Sequence, residues 1–209
     1  MNLIFVISSP TGVGKTTICN IENSKDNGTK RVITHTTRKP RANEKDGVDY
    51  YFVDKDEFKK GLKNGEFVEY AIVHGNYYGT SKKALIDVLN SGYDALLAID
   101  VQGAKNVMQQ FDNVVSIFIL PPSFDVWLER ITKDNLRDDV DIRLKTALNE
   151  LSQIEYFDYC IINDNLDRAI ATLESIIESQ RNKMEFVKSE RMKLVNTLKE
   201  DTLKYLKED

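Results

Sequence analysis

Four unbroken apolar runs punctuate the chain: LIFVI (3–7), ALLAI (95–99), VVSIFIL (114–120) and YCII (159–162). Each is of strand length, and none alternates apolar with polar positions. A strand wet on one face alternates with period two, so a continuous run predicts burial on both faces, as in a parallel sheet covered by helices. RVITHTT (31–37) is a fifth strand candidate. Helical patterns lie between the runs. SKKALIDVLNSG (81–92) opens with Ser81 as an N-cap and stops at Gly92. PPSFDVWLERI (121–131) has Ser123 as a cap and puts Phe124, Trp127, Leu128 and Ile131 on one face. DVDIRLKTALNEL (139–151) places Ile142, Leu144, Leu148 and Leu151 at near-helical spacing. Strand alternating with helix predicts a doubly wound α/β core.

Residues 38–80 break this rhythm. RKPRANEKDG (38–47) is polar and punctuated by Pro40 and Gly47. YYFV (50–53) and FVEYAIV (67–73) read as short strands. DKDEFKKGLKNG (54–65) reads as a small helix, with Asp54 and Glu57 spaced as a capping box. The segment is expected to form an inserted α+β lobe. From Leu166 the chain is charged and helical, with a sparse apolar stripe of Met184, Val187, Val195, Leu198 and Leu206. That pattern predicts a helix laid across the core with a solvated outer face, and its irregular heptads argue against a coiled coil.

The first apolar run leads into SSPTGVGKTT (8–17). A phosphate-binding loop needs a strand leading in, a glycine-rich turn, and a helix whose N-terminal amides face the anion. LIFVIS leads in, Gly12 and Gly14 permit the turn, and KTTICNI leads out. Lys15 would reach the β and γ phosphates and the Thr16 hydroxyl would ligate Mg²⁺. Ser9 stands where the G-x-x-x-x-G-K-[ST] pattern has its first glycine. The stretch NIENSKDNG (20–28) is unexpectedly polar for the helix that should follow.

Composition narrows the classes. The chain has 209 residues, 41% of them apolar and 30% charged, which suits one soluble domain with a real core. A net charge of −4 leaves no overall positive field to hold nucleic acid, so an anion site must be built locally. Cys19 and Cys160 form neither a CxxC pair nor a metal-ligating cluster. A reducing compartment fits them. The opening NLIFVI is too short for a signal segment or a membrane span, so a cytoplasmic location is expected and no membrane partner. His35 and His74 lack ligand-spaced partners and are expected neither to bind metal nor to act as bases. Cys19 is expected to pack behind the loop, and Trp127 to belong to the core.

Beyond the loop, several stretches resemble the guanylate kinase family of P-loop nucleoside-monophosphate kinases. THTTRKPRANEKDGVDYYFV (34–53) resembles its GMP-phosphate segment and EFVEYAIVHGNYYGTS (66–81) its guanine-binding hairpin. AIDVQGAKNV (98–107), IFILPPS (117–123) and YFDYCIINDNLDRAI (156–170) also match. The resemblance covers about residues 3–180, and the family often has Ala or Ser at the position of Ser9.

It implies a single domain over 1–209: a P-loop three-layer α/β/α core with a parallel sheet (about 1–33, 81–127 and 147–209), an inserted α+β GMP-binding lobe (about 34–80) and a helical lid (about 128–146). It implies phosphoryl transfer from ATP to GMP, with dGMP also accepted and Mg²⁺ bound with ATP. Ser9, Pro10, Thr11, Gly12, Val13, Gly14, Lys15, Thr16 and Thr17 would hold ATP. Arg38 and Arg41 would grip the GMP phosphate, since planar guanidinium forks suit a dianion. Thr34, Tyr50 and Tyr78 would add hydroxyls. Glu69 would accept from guanine N1–H and N2–H₂ together, a pair adenine lacks, with Thr80 near O6. Asp100 would lie between the arginines and the metal's water shell, and Arg143 would clamp phosphates.

Two departures stand out. Ala98 occupies a position that is usually acidic in the family. RITKDNLRDD (130–139) has no R-G-T turn, leaving Lys133 or Arg137 as stand-ins for its arginine. Two rival readings stay open. Guanylate-kinase-like modules of scaffolding proteins bind phosphopeptides, but they tend to lose the ATP loop. A related P-loop kinase acting on a phosphosugar would not need Glu69, Thr80 or the paired tyrosines. The oligomeric state is not fixed by the sequence.

Overall fold

The computed structural model describes residues 2–73, 75–133 and 137–208. Five parallel strands form the larger sheet, in the order β2 (Thr29–Arg31), β7 (Asp94–Ala98), β1 (Ile4–Ser8), β8 (Val114–Leu120) and β9 (Tyr159–Ile162). All of β1 is buried, because alternate side chains feed two different cores. Leu3, Phe5 and Ile7 join Leu96, Ile117 and Ile119 on one face. There α1 (Lys15–Asn23), α5 (Phe124–Thr132), α6 (Arg137–Leu151) and α7 (Leu166–Arg181) add Ile18, Trp127, Val140, Ala147 and Leu173. Ile4 and Val6 point the other way, with Ala95 and Leu97. They meet Leu85 and Val88 of α3 (Lys82–Asn90) and Ala104 and Val107 of α4 (Val101–Gln110). The result is the expected three-layer α/β/α core. Phe5 is fully buried, and truncating such a ring to alanine typically costs about 3–5 kcal/mol.

A second sheet runs β4 (Tyr51–Phe52), β3 (His35–Thr36), β6 (Asn76–Ser81), β5 (Phe67–Val73), with β6 antiparallel to both of its neighbours. The helix α2 (Lys55–Lys63) packs on it through Phe58, whose ring stacks on Phe67 at 4.5 Å. Helix starts follow the cap residues. Asp54 accepts from the Asp56 and Glu57 amides, Ser81 from Ala84 and Ser123 from Val126.

Several expectations are revised. RVITHTT is not one strand. Val32 still bonds to Leu96, but the chain then leaves the large sheet and re-forms as β3 in the small one. NYYGTS (76–81), with no apolar run, is the strand β6. The buried face of α6 is Val140 and Ala147, with Leu144 and Leu151 partly covered, whereas Ile142 and Leu148 are exposed. Phe124 is exposed too, although Trp127 and Ile131 are buried. β9 is an edge strand, with Cys160 and Ile162 facing out. Finally, α7 lies across the core, but the terminal helix α8 (Met184–Glu208) does not. It leaves Met184, Leu194, Leu198 and Leu203 exposed, while Phe186 packs on the core.

The polar stretch after the loop has a physical reason. Asn20 and Asn23 of α1 accept from the Arg31 guanidinium and main-chain N–H, and Glu22 accepts from Asn27. Arg31 is 6% exposed and its other terminal nitrogen donates to the Asp49 carbonyl. The underside of α1 is therefore polar because it seats a buried arginine that ties the core to residue 49.

Candidate active site

In an open parallel sheet, ligands bind at the carboxyl ends of the strands, where neighbouring connections diverge. Here β1 and β7 end at a cleft of about 810 Å³. Ser9, Pro10, Thr11, Gly12, Val13, Gly14, Lys15, Thr16 and Thr17 form one side. Gly12 and Gly14 have φ of 78° and 102°, conformations costly for any residue with a Cβ. Gly14 is also the N-cap of α1 and supplies no side-chain bond. By contrast α2, α3, α4, α5 and α7 are each capped by a side chain. The first amides of α1 are thus not claimed by a capping side chain, and they carry the positive end of the helix dipole.

The rest of the fold holds this loop by its carbonyls. Trp127 Nε1 donates to Thr11 O at 2.8 Å and Asn163 Nδ2 to Val13 O at 2.7 Å. A Cβ on Gly12 would meet Ile131 at 2.9 Å, and one on Gly14 would meet Asn163 at 2.8 Å. Lys15 Nζ rests on the Ile99 carbonyl at 2.6 Å, at the end of β7. Burial lowers its pKa from the ordinary value, and the carboxylates of Asp100 and Glu150 oppose that. Cys19 packs beneath the loop, and burial pushes its thiol up to about 12, so it stays protonated.

Thr34, Arg38, Arg41, Tyr50, Glu69, Tyr78 and Asp100 line the facing wall. Arg38 Nε donates to Tyr78 Oη at 3.2 Å, Nη1 donates to the Lys39 carbonyl at 2.7 Å and Nη2 donates to both Glu44 oxygens at 2.8 and 2.9 Å. Glu44 also accepts the Arg41 N–H at 2.8 Å, closing the loop between the two arginines. The Tyr50 ring lies 5.5 Å from the Arg38 guanidinium. These contacts fix the orientation of one fork before any anion arrives.

Glu69 is a carboxylate in a largely apolar strand, FVEYAIV. The pairing of β5 with β6 slips between Phe67 and Glu69, leaving Val68 as an extra residue. A bulge of this kind re-aims side chains. Two successive residues are buried, Val68 in the second core and Glu69 in the cleft. Glu69 is 5% exposed and its Oε1 accepts from Thr80 Oγ1 at 2.6 Å. Burial, aided by Asp100, raises its pKa to about 7, against the Thr80 hydrogen bond and Lys15. Thr80 is fully buried behind Glu69 and does not line the cleft. Asp100 caps α4, its Oδ1 accepting from the Gly103 N–H at 2.7 Å.

Arg143 lines the cleft from α6. Lys133 is exposed and does not, and the side chain of Arg137 lies outside the described residues. Arg130 lines the cleft instead, reaching the Asn163 carbonyl at 3.2 Å. Glu150 lines it too. Its carboxylate takes the Thr11 N–H and burial raises its pKa, while Oε2 has no hydrogen-bond partner among the described residues. Arg130, Glu44, Asn163 and Glu150 were not read from the sequence as site residues. Glu44 and Asn163 fall in stretches that carry the family resemblance, 34–53 and 156–170, and Glu150 in the helix read over 139–151, but nothing local marks any of them as a site residue. His35 packs between the Tyr51 and Phe67 rings, and His74 lies outside the described residues.

Among the described residues no group of His, Cys, Asp and Glu is arranged to hold a metal, and no helix is long and apolar enough to cross a membrane. The family model described as guanylate kinase matches residues 1–180. The guanylate kinase of Methylobacillus flagellatus is 42% identical over 87% of this chain and 91% of its own. That of Rickettsia felis is 41% identical over 87% and 95%. The crystal structure of guanylate kinase from Anaplasma phagocytophilum superposes with a TM-score of 0.73 at 37% identity, covering 87% of each chain. With the glycine-rich loop and the arginine–tyrosine wall facing each other across one cleft, the chain belongs to the guanylate kinase family.

Proposed function

We infer that this protein transfers the γ-phosphoryl group of ATP to GMP, giving ADP and GDP. The observation that carries the reading is the confrontation of two anion sites across one cleft, the uncapped start of α1 with Lys15 on one side and Arg38, Arg41, Tyr50 and Tyr78 on the other. Phosphoryl transfer needs its two anions aligned and their charge neutralised more than it needs covalent chemistry. The acceptor oxygen of GMP is itself anionic, so no general base is assigned.

The loop amides and Lys15 hold the ATP phosphates. Arg38 and Arg41 hold the GMP phosphate, with Thr34, Tyr50 and Tyr78 as hydroxyl partners. Ionised Glu69 accepts from guanine N1–H and N2–H₂, and Thr80 orients that carboxylate. The small sheet and α2 act as the GMP-binding lobe. The α5–α6 region acts as a lid, bringing Arg143 onto the phosphates and excluding water. Arg130, already on the cleft wall, takes the place of the missing lid arginine.

The oxygen donors at the cleft fit Mg²⁺: the Thr16 side chain is half-buried on the cleft wall, with Asp100 across from it. Thr16 would ligate it directly and Asp100 through water. Bound with ATP, Mg²⁺ would neutralise phosphate charge. The reading includes dGMP, which differs from GMP only in lacking the ribose 2′-hydroxyl, as a second acceptor. A cytoplasmic location is supported by the unpaired cysteines Cys19 and Cys160.

The test is a coupled assay of ADP formation with GMP, dGMP, AMP, UMP and a phosphosugar as acceptors. ADP formation that requires GMP or dGMP is expected. Tight GMP binding with no ADP formed would replace the enzyme by a binding module, and turnover on the phosphosugar would replace the substrate.

A further inference from the structure

Gly103 lies in the first turn of α4, beside the carboxylate that the proposed function assigns to guanine. Its φ is not in the left-handed region, so the backbone there does not require glycine. Alanine at such a helical position is typically favoured by about 0.5–1 kcal/mol. The constraint is steric. A Cβ at Gly103 would sit 2.4 Å from Glu69 Oε2, 3.0 Å from its carboxyl carbon and 3.3 Å from Asp100 Oδ1. The Glu69 carboxylate cannot retreat easily. Its other oxygen is held by Thr80 at 2.6 Å, and the bulge that aims it is held in turn by Gln110 of α4, whose Nε2 donates to Val68 O at 2.7 Å. Helix α4 therefore grips β5 at both ends of one face, by a hydrogen bond at Gln110 and by a missing side chain at Gly103.

From this we propose that Gly103 is a specificity-determining position: its bare Cα forms the slot that seats Glu69 for reading the base. The inference rests on the guanine-reading role of Glu69 and deepens it. A methyl group would displace the carboxylate by the better part of an ångström, and a misplacement of that size can cost about 10²-fold in a positioned site. A merely structural glycine would behave differently, because its loss would impair both substrates together and leave their ratio unchanged.

The experiment compares Gly103→Ala, Glu69→Gln and the double variant in kcat/KM for GMP and AMP, with KM for ATP and thermal midpoint alongside. Gly103→Ala is expected to cut the GMP-over-AMP ratio about 10²-fold and leave KM for ATP within about twofold, and any fall in the thermal midpoint should be recovered by Glu69→Ala in the same chain. Added to Glu69→Gln, it should change the ratio by less than about threefold. If Glu69→Gln collapses selectivity and Gly103→Ala keeps it, the slot is overturned and the base-reading role stands. If Glu69→Gln itself keeps selectivity, the base-reading role fails first. Should Gly103→Ala not fold, Glu69→Ala in the same chain restores folding if the collision is with that carboxylate, and failure to restore it overturns the proposal.

Discussion

The two walls of the cleft are made of different material. The proposed ATP side is one contiguous stretch, Ser9 to Thr17, and would work through main-chain amides, two glycines and a helix end. The facing wall is assembled from side chains spread over residues 34 to 100, carried on the small sheet and its loops except for Asp100 at the start of α4, and partly oriented by one another. A site of amides tolerates changes in its own side chains and fails when the backbone is disturbed. A site of side chains is specific, because each group matches a particular donor or acceptor, and each can be lost by a single substitution.

Four substitutions or conditions sharpen that contrast. The largest effect is expected at Glu69→Gln. Selectivity for GMP over AMP should fall by about 10⁴-fold, since a site built to pair buried polar groups discriminates at that level. Next is Lys15→Met, the one loop side chain with a charge to deliver, which should lower kcat about 10³-fold in the ADP assay with little change in KM for GMP.

Third is pH. The free protein holds Glu69 near pKa 7 and only the ionised form accepts both guanine donors, so affinity for GMP should weaken about tenfold from pH 8 to pH 6. Glu69→Gln should lack that component, which separates it from titration of the GMP phosphate itself, near pKa 6. The sign for folding is the opposite. A carboxyl with its pKa raised from 4.5 to about 7 contributes fully below the unfolded value and loses stability as pH rises through 7, by roughly 3 kcal/mol at most. Glu69→Gln should therefore raise the thermal midpoint at pH 8 and not at pH 4. The smallest effect is Thr11→Ala, below about threefold in KM for ATP, because Thr11 serves through its carbonyl and N–H. A large loss there would break the distinction between the two walls.

The same distinction explains what could be read from the chain. The loop is contiguous, so its glycines, Lys15 and Thr16 were legible as a motif, and the buried strands were legible because β1, β7 and β8 are covered on both faces. Caps at Asp54, Ser81 and Ser123 were legible because they are local. RVITHTT misled because composition cannot say that a chain changes sheets at residue 33. The face of α6 was misread because Ala147, small and apolar, fills a position that Leu148 seemed to claim. Gly103, Glu150 and Arg130 matter through what approaches them from other elements, and no local pattern encodes that. The facing wall became legible only through its resemblance to known kinases.

The contact between Lys15 and the Ile99 carbonyl has an entropic consequence. A free lysine side chain samples many rotamers, and immobilising it typically costs up to about 2 kcal/mol. Because the ammonium is docked on the end of β7 at 2.6 Å, most of that ordering accompanies folding rather than the arrival of nucleotide. On the proposed function, an incoming phosphate would meet a charge that is already ordered, and would have to draw it away from a single carbonyl.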